Sequence, residues 1–200
     1  MTTEQIRKLI DEFHVPKHIR RHCEKVAQVC KLLGSKIAQK GENINMELLL
    51  AGAWLHDLVR ICDFTVWHPE NFPDKHDLQH HEKWEQIRSK YSGKSHEEAA
   101  YEILSEMGER DLAHLIKSHK FANILNAHPF KNWEEKILYY ADKRVENDKI
   151  VYLQKRLEGG AKRNADTEEK KALTAKIWPK IFELEKEVCE KAGVEPGNIV

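Results

Sequence analysis

The chain has no excess charge of either sign, few glycines and prolines, and no long apolar run. Each absence removes a class of protein. Lysine and arginine number 33, and so do aspartate and glutamate. That balance argues against a global field that would hold the chain on nucleic acid or an anionic membrane, though not against a local basic patch. The longest apolar stretch, 48–55, is far short of the roughly 20 residues needed to cross a bilayer. The opening Met1-Thr2-Thr3-Glu4-Gln5 lacks the basic and apolar regions of a secretion signal, so the expected location is cytoplasmic. Cys23, Cys30, Cys62 and Cys189 form no C-x-x-C pair and are expected to be reduced, mostly buried thiols.

What remains is the composition of a helical globule, with 33% charged and 40% apolar residues. At 200 residues one sizeable core is expected, in a single all-α domain over 1–200. Apolar residues recur with helical period along nearly the whole chain. Ile6, Leu9, Ile10 and Phe13 form one stripe, behind a Thr2–Gln5 capping box. Ile19, Cys23, Val26, Ala27, Cys30, Leu33 and Ile37 form a second. Asn45 is a suitable N-cap for a third helix, carrying Leu48, Gly52, Leu55 and Val59. Ser95 with Glu98 predicts a helix with Ala99, Ala100, Ile103, Leu104 and Met107 on its apolar face. Asp111–His119 predicts a short one. Asn132 with Glu135 starts another, and Gly159-Gly160 is expected to break the chain. Asp166 with Glu169 is expected to cap a last long helix with Leu173, Ile177, Ile181, Leu184 and Val188 as its stripe, kinked at Pro179. No strand is predicted. Residues 63–92, with Trp67, His68, Pro69, Pro73, His76, His80 and His81, read as a long polar loop holding one helix near Leu78–Ser89.

Against this regular background His56 and Asp57 stand side by side in the apolar stretch Leu50-Ala51-Gly52-Ala53-Trp54-Leu55-His56-Asp57-Leu58-Val59. Two such groups at the end of a buried helix are costly unless something pairs with them, and a divalent cation would satisfy both. Four more metal-competent side chains fall on predicted apolar faces: His22, His96, His119 and Asp142. Taken singly, each has an ordinary explanation. A lone inward histidine is usually bonded to a carbonyl, His96 and His119 lie at helix ends, and Asp142 can pair with an arginine. One metal centre explains all of them together.

The order His22, His56-Asp57, Asp142 resembles the HD-domain phosphohydrolase superfamily. His22-Cys23-Glu24-Lys25-Val26-Ala27 is similar to its first motif and Ala53–Arg60 to its second. Ser95–Ala100 and Ile116–Lys120 are similar to the histidine motifs of its two-metal members, and Tyr140–Val145 to its closing aspartate motif. The likeness covers about 14–150, leaving 151–200 as a helical extension. It is greatest to small HDIG-type proteins, although Leu58 and Val59 stand where those have Ile and Gly. The resemblance implies an HD-type helical bundle with a metal centre in its core. It implies one divalent ion on His22, His56, Asp57 and Asp142, and a second on Asp57, His96 and His119. Iron, manganese, zinc, cobalt and nickel all suit such ligands. Asp57 and Arg60 are the expected catalytic residues. Arg60, Lys143, Lys120 and His18 are candidates for substrate binding, with Arg144 a weaker one. The expected reaction is hydrolysis of a phosphoester or phosphoanhydride in a small phosphorylated substrate, a nucleotide foremost. Two rival readings stay open: an HD-fold diiron oxygenase, and a non-catalytic metal-containing binding or regulatory module.

Overall fold

Thr2 and Gln5 close a reciprocal capping box, Thr2 N–H donating to Gln5 Oε1 at 2.7 Å and Gln5 N–H to Thr2 Oγ1 at 3.3 Å. That box starts the first helix of a computed structural model that describes residues 1–64, 72 and 74–199. The helices are α1 (Thr3–Glu12), α2 (Lys17–Gln39), α3 (Met46–Leu55), α4 (His81–Lys90), α5 (His96–Glu106), α6 (Arg110–Ser118), α7 (Trp133–Asp142), α8 (Leu153–Asn164) and α9 (Glu168–Ala192). The predicted starts of α3 and α7 are present: Asn45 Oδ1 accepts the Leu48 N–H, and Asn132 Oδ1 accepts the Glu135 N–H. At α5, Glu98 Oε2 accepts the Ser95 N–H at 3.0 Å. The architecture is all-α, and no described helix is long and apolar enough to cross a membrane.

The apolar stripes gather into two clusters. One joins the inner faces of α2, α7 and α9 around Leu33, Ile137, Tyr140, Ile177 and Val188. The other joins α1, α4, α5 and the inner face of α6 around Leu9, Trp84, Leu104 and Ile116. Helices α2, α3 and α6 send side chains into both. Contact between α3 and α6 is close. A Cβ at Gly52 would lie 2.6 Å from Leu115 Cδ2, so glycine lets these helices meet there without displacing that side chain. Far from being an appendage, the extension supplies Leu153, Leu157, Ile181 and Leu184 to the same core as α2 and α7.

Several expectations need correction. Helix α3 stops at Leu55 and does not run through Val59; the chain turns at 56–59 and continues as a 3₁₀ turn, Arg60–Asp63. His56 Nδ1–H donates to the Ala53 carbonyl, occupying an acceptor of the last helical turn, and the following bonds are of the tighter i→i−3 kind. Gly159-Gly160 do not break the chain. They lie inside α8, where Gly159 leaves room for Glu146: a Cβ there would lie 2.0 Å from Glu146 Oε1. The cap of α9 is Thr167 and not Asp166, whose carboxylate takes the Lys170 ammonium instead. A short antiparallel hairpin exists where no strand was predicted, pairing β1 (Val145–Glu146) with β2 (Lys149–Ile150) through Asn147 at φ 56°. Met107 is 50% and Leu173 39% exposed, so neither joins its predicted stripe. Met107 sits past the last turn of α5, and Leu173 faces a cavity.

The 63–92 segment holds a 3₁₀ turn, Asp77–His80, running into α4, which matches the helix expected near Leu78–Ser89. His80 stacks on His14 with ring centroids 4.0 Å apart, and His76 contacts Gln79. Trp67, His68, Pro69 and Pro73 lie outside the described residues. Cys23, Cys30 and Cys189 are buried free thiols, and Cys62 is a half-buried one.

Candidate metal centre

The polar residues between the two apolar clusters come from the shared helices α2, α3 and α6 and from one helix of each cluster, α5 and α7. His22 lies on α2, and His56 caps the end of α3 with Asp57 next in the turn. His96 opens α5, His119 caps the end of α6, and Asp142 closes α7. All six come together. His22 Nε2 is 3.0 Å from Asp142 Oδ1 and 3.9 Å from Asp57 Oδ2. His56 Nε2 is 3.7 Å from each of the same two oxygens. The other oxygen of Asp57, Oδ1, is 3.1 Å from His96 Nε2, which in turn lies 3.2 Å from His119 Nε2. Asp57 therefore faces both sides of the cluster. His56, His96, His119 and Asp142 are buried, and the His22 and Asp57 side chains are 12% and 13% exposed.

Each histidine is tied down through its other nitrogen. Nδ1 of His22 meets the Asn147 carbonyl at 3.0 Å, that of His56 the Ala53 carbonyl at 2.9 Å, and that of His119 the Ile116 carbonyl. Nδ1 of His96 meets Asp63 Oδ2 at 2.6 Å. With Nδ1 engaged outside the cluster, every Nε2 faces the shared space, where the neutral, Nδ1-protonated form would offer its lone pair to a metal ion. His96 and His119 bring their Nε2 atoms 3.2 Å apart, an arrangement that either a proton on one ring or a cation between the two would satisfy. The described buried side-chain polar atoms left without a hydrogen-bond partner are His18 Nδ1, His56 Nε2 and Ser95 Oγ. His18 and Ser95 line the cavity that holds Asp57, and His56 belongs to the cluster. Buried orphans of this kind mark a missing partner such as an ion or water.

These donors fit divalent cations. His22, His56 and Asp142 form one set whose ligand atoms lie within 4.8 Å of one another; His56, Asp57 and His119 form a second, and His96, Glu97 and His119 a third. Against burial, and for His96 against Arg60 as well, Cys23 and Asp57 hold His56, and Asp57 and Asp63 hold His96, above the ordinary histidine range, so the cluster draws positive charge to itself. Burial opposes ionisation of Asp57, but His56, His96 and Arg60 outweigh it and hold the carboxyl well below its ordinary range. Asp142 is likewise held low against burial by Lys143, His22 and His56. Burial, reinforced by His56, pushes His119 down to about 4. That residue is therefore a neutral imidazole at neutral pH, the form in which histidine ligates.

The predicted phosphate-facing residues divide. Arg60 reaches the cavity from the 3₁₀ turn and not from a continuing helix; its guanidinium pairs with Asp63 and lies 2.9 Å from His96 Nδ1. His18 lines the cavity one helical turn before His22, and burial lowers its pKa. Lys120 stands in the lining with its amine on Glu98 at 2.9 Å. Lys143 is buried and gives its amine to Asp142 Oδ2 at 2.6 Å. Arg144 faces elsewhere, donating to Tyr140, Val151 and Pro196.

Sequence reasoning missed two residues. Asp63 anchors His96 twice, accepting its backbone N–H at 2.9 Å as well as its ring. Its only sequence signal is its place three residues after Arg60, which pairs with it. Glu97 is buried beside His96, 3.3 Å from Nδ1. In sequence it reads as the acidic first turn of a capped helix.

Comparison with curated proteins and with solved structures gave no match. A family model described as HD domain matches residues 19–160, a span that opens just before His22, closes within α8 and holds all six converging residues. With that span covered and its histidines and aspartates gathered in one buried cluster, this chain belongs to the HD-domain superfamily of metal-dependent phosphohydrolases.

Proposed function

We propose that this chain hydrolyses a phosphoester or phosphoanhydride bond in a small phosphorylated molecule, a nucleotide foremost, with two divalent ions. His22, His56, Asp57 and Asp142 would hold one, and Asp57, His96 and His119 the other. The observation that carries the reading is the convergence of four Nε2 atoms, each with its Nδ1 anchored, around an aspartate that faces both sides. Bound there, divalent ions supply a lowered pKa for water and neutralise negative charge on phosphoryl oxygens. Imidazole and carboxylate ligands accommodate iron, manganese, zinc, cobalt or nickel.

The protein's own residues have defined parts. Asp63 fixes the guanidinium of Arg60, which leaves further donors for a phosphoryl oxygen in the fork geometry that arginine provides. Lys143 neutralises Asp142 and so positions it, in place of the substrate contact expected from sequence. Lys120 meets an anionic group only by leaving Glu98. His18 lines the cavity with its Nδ1 buried and unpartnered, so it meets a polar group of the substrate only if the ring turns. The described lining contains no cysteine, and its hydroxyls are Ser95 and Thr174. Water as the attacking group suits such a lining.

Metal analysis of the purified, untagged protein, followed by a phosphate-release screen over nucleotides with Mn, Fe, Co, Ni and Mg, tests the reading. It expects bound metal and metal-dependent release from at least one nucleotide. Protein that binds metal yet releases no phosphate from any of them would refute the proposed activity.

A further inference from the structure

The cavity beside the metal centre is larger than one phosphoryl group requires. Its volume is 1010 Å³, at the top of the roughly 300–1,000 Å³ typical of small-molecule sites. Part of its wall comes from α8 and α9, whose residues carry none of the candidate metal ligands. That wall holds Arg156 and Gly160 of α8 and Leu173 and Trp178 of α9, and α2 adds Arg21.

Its cations are unevenly committed. Every lysine and arginine of the described lining is ion-paired except Arg21 and Arg156. Arg21 is exposed and has no ion-pair partner among the described residues. Arg156 gives Nε–H to the Val145 carbonyl at 2.7 Å, which fixes the guanidinium and leaves both terminal nitrogens without an ion pair. The two glycines that fail to break α8 explain its placement. A glycine inside a helix costs about 1 kcal/mol relative to alanine, so a pair of them calls for a reason. A Cβ at Gly160 would lie 3.1 Å from Arg156 Nη1, so the bare backbone lets the guanidinium lie against the helix. Gly159 does the same for Glu146, which holds Arg163 at 3.0 Å. Beside these cations, Leu173 is 39% exposed and Trp178 half-buried, an apolar surface facing the same space.

We propose that Arg21, Arg156 and the Gly160 face of α8 form a second anion subsite. It takes a further anionic group of the substrate while its apolar part lies against Leu173 and Trp178. The substrate class is then a nucleotide with anionic groups at two places, in preference to a simple phosphate monoester. The subsite deepens the phosphohydrolase reading and rests on it for the role of the metal end.

Calorimetric binding of the metal-loaded, full-length protein to two probes, adenosine 3′,5′-bisphosphate and phenyl phosphate, tests it. The wild type should bind the bisphosphate more tightly by about tenfold or more, the worth of one charge-assisted hydrogen bond. Arg21→Ala and Arg156→Lys should each remove most of that preference, with phenyl phosphate affinity and metal content unchanged. Gly160→Ala should raise the melting temperature yet weaken the bisphosphate, because helix propensity and the Arg156 position pull in opposite directions. Because Arg21 is exposed, its variant reports on the subsite even if Arg156→Lys fails to fold. Equal affinity of the wild type for the two probes, or a preference that survives Arg21→Ala, would overturn the subsite. A preference lost in the variants, in protein that hydrolyses neither probe, supports the subsite while counting against the phosphohydrolase reading.

Discussion

The two sides of the metal centre are anchored differently. His22 and His56 rest their Nδ1 atoms on the carbonyls of Asn147 and Ala53, whereas His96 rests on the carboxylate of Asp63, itself paired with Arg60. A carbonyl fixes ring and tautomer, and no side-chain substitution removes it. A carboxylate also raises the basicity of the ring, and one substitution takes it away. The His22–His56 side is thus set by the backbone, as is His119 through the Ile116 carbonyl, whereas His96 is set by a side-chain relay that can be tuned.

The substitution that most tests this division is the one at the residue both sides share. Asp57→Ala should abolish bound metal and phosphatase activity together, as read by metal analysis and phosphate release. Full metal content would mean that the two sides do not meet at Asp57. His96→Ala should act on one side alone, lowering metal toward one ion per chain with the helical circular-dichroism signal intact. A variant that loses all metal would show that the sides are not separable.

Removing the relay rather than the ligand should do less. Asp63→Asn keeps shape but loses the charge that supports His96, and loss of such a partner typically weakens metal binding by about 10- to 100-fold. Competition with a chromophoric chelator should show one ion weakened and the other unchanged. If both weaken equally, the relay serves the whole cluster.

The smallest effect belongs to the rim of the same side. The Ser95 backbone N–H and then Lys120 hold Glu98 down to about 2, from an ordinary 4.5. Because the folded value lies below the unfolded one, its stabilisation is complete above about pH 4.5 and is lost as pH falls toward 2. Glu98 is 40% exposed, so solvent screening keeps the contribution small. Melting curves of wild type and Glu98→Gln should differ slightly at neutral pH and converge on acidification through that window. A difference that persists at the acid end would assign the effect to something other than this charge.

Much of the fold was legible in the sequence because helix signals are local. Thr2, Asn45 and Asn132 reach amides three residues on, and the stripes of α2 and α7 repeat within a few turns. All six residues of the cluster were legible too, as polar groups interrupting apolar faces where the family motifs have them. The anchors were not. Asp63 is 33 residues from His96, and Asn147 is 125 from His22. No periodicity links residues so far apart.

The sequence by itself thus determined the helices other than α8, four of the five caps it predicted, and the identity of the converging histidines and aspartates. Tertiary structure alone decided which nitrogen of each histidine faces inward, that Arg60 arrives from a 3₁₀ turn, and that Gly159-Gly160 continue a helix. The reason is physical. Caps and stripes depend on neighbours within one or two turns, but a histidine's tautomer and a glycine's necessity depend on what another element presses against them. Those partners, the Ala53 and Ile116 carbonyls and the Arg156 side chain beside Gly160 excepted, come from elsewhere in the chain.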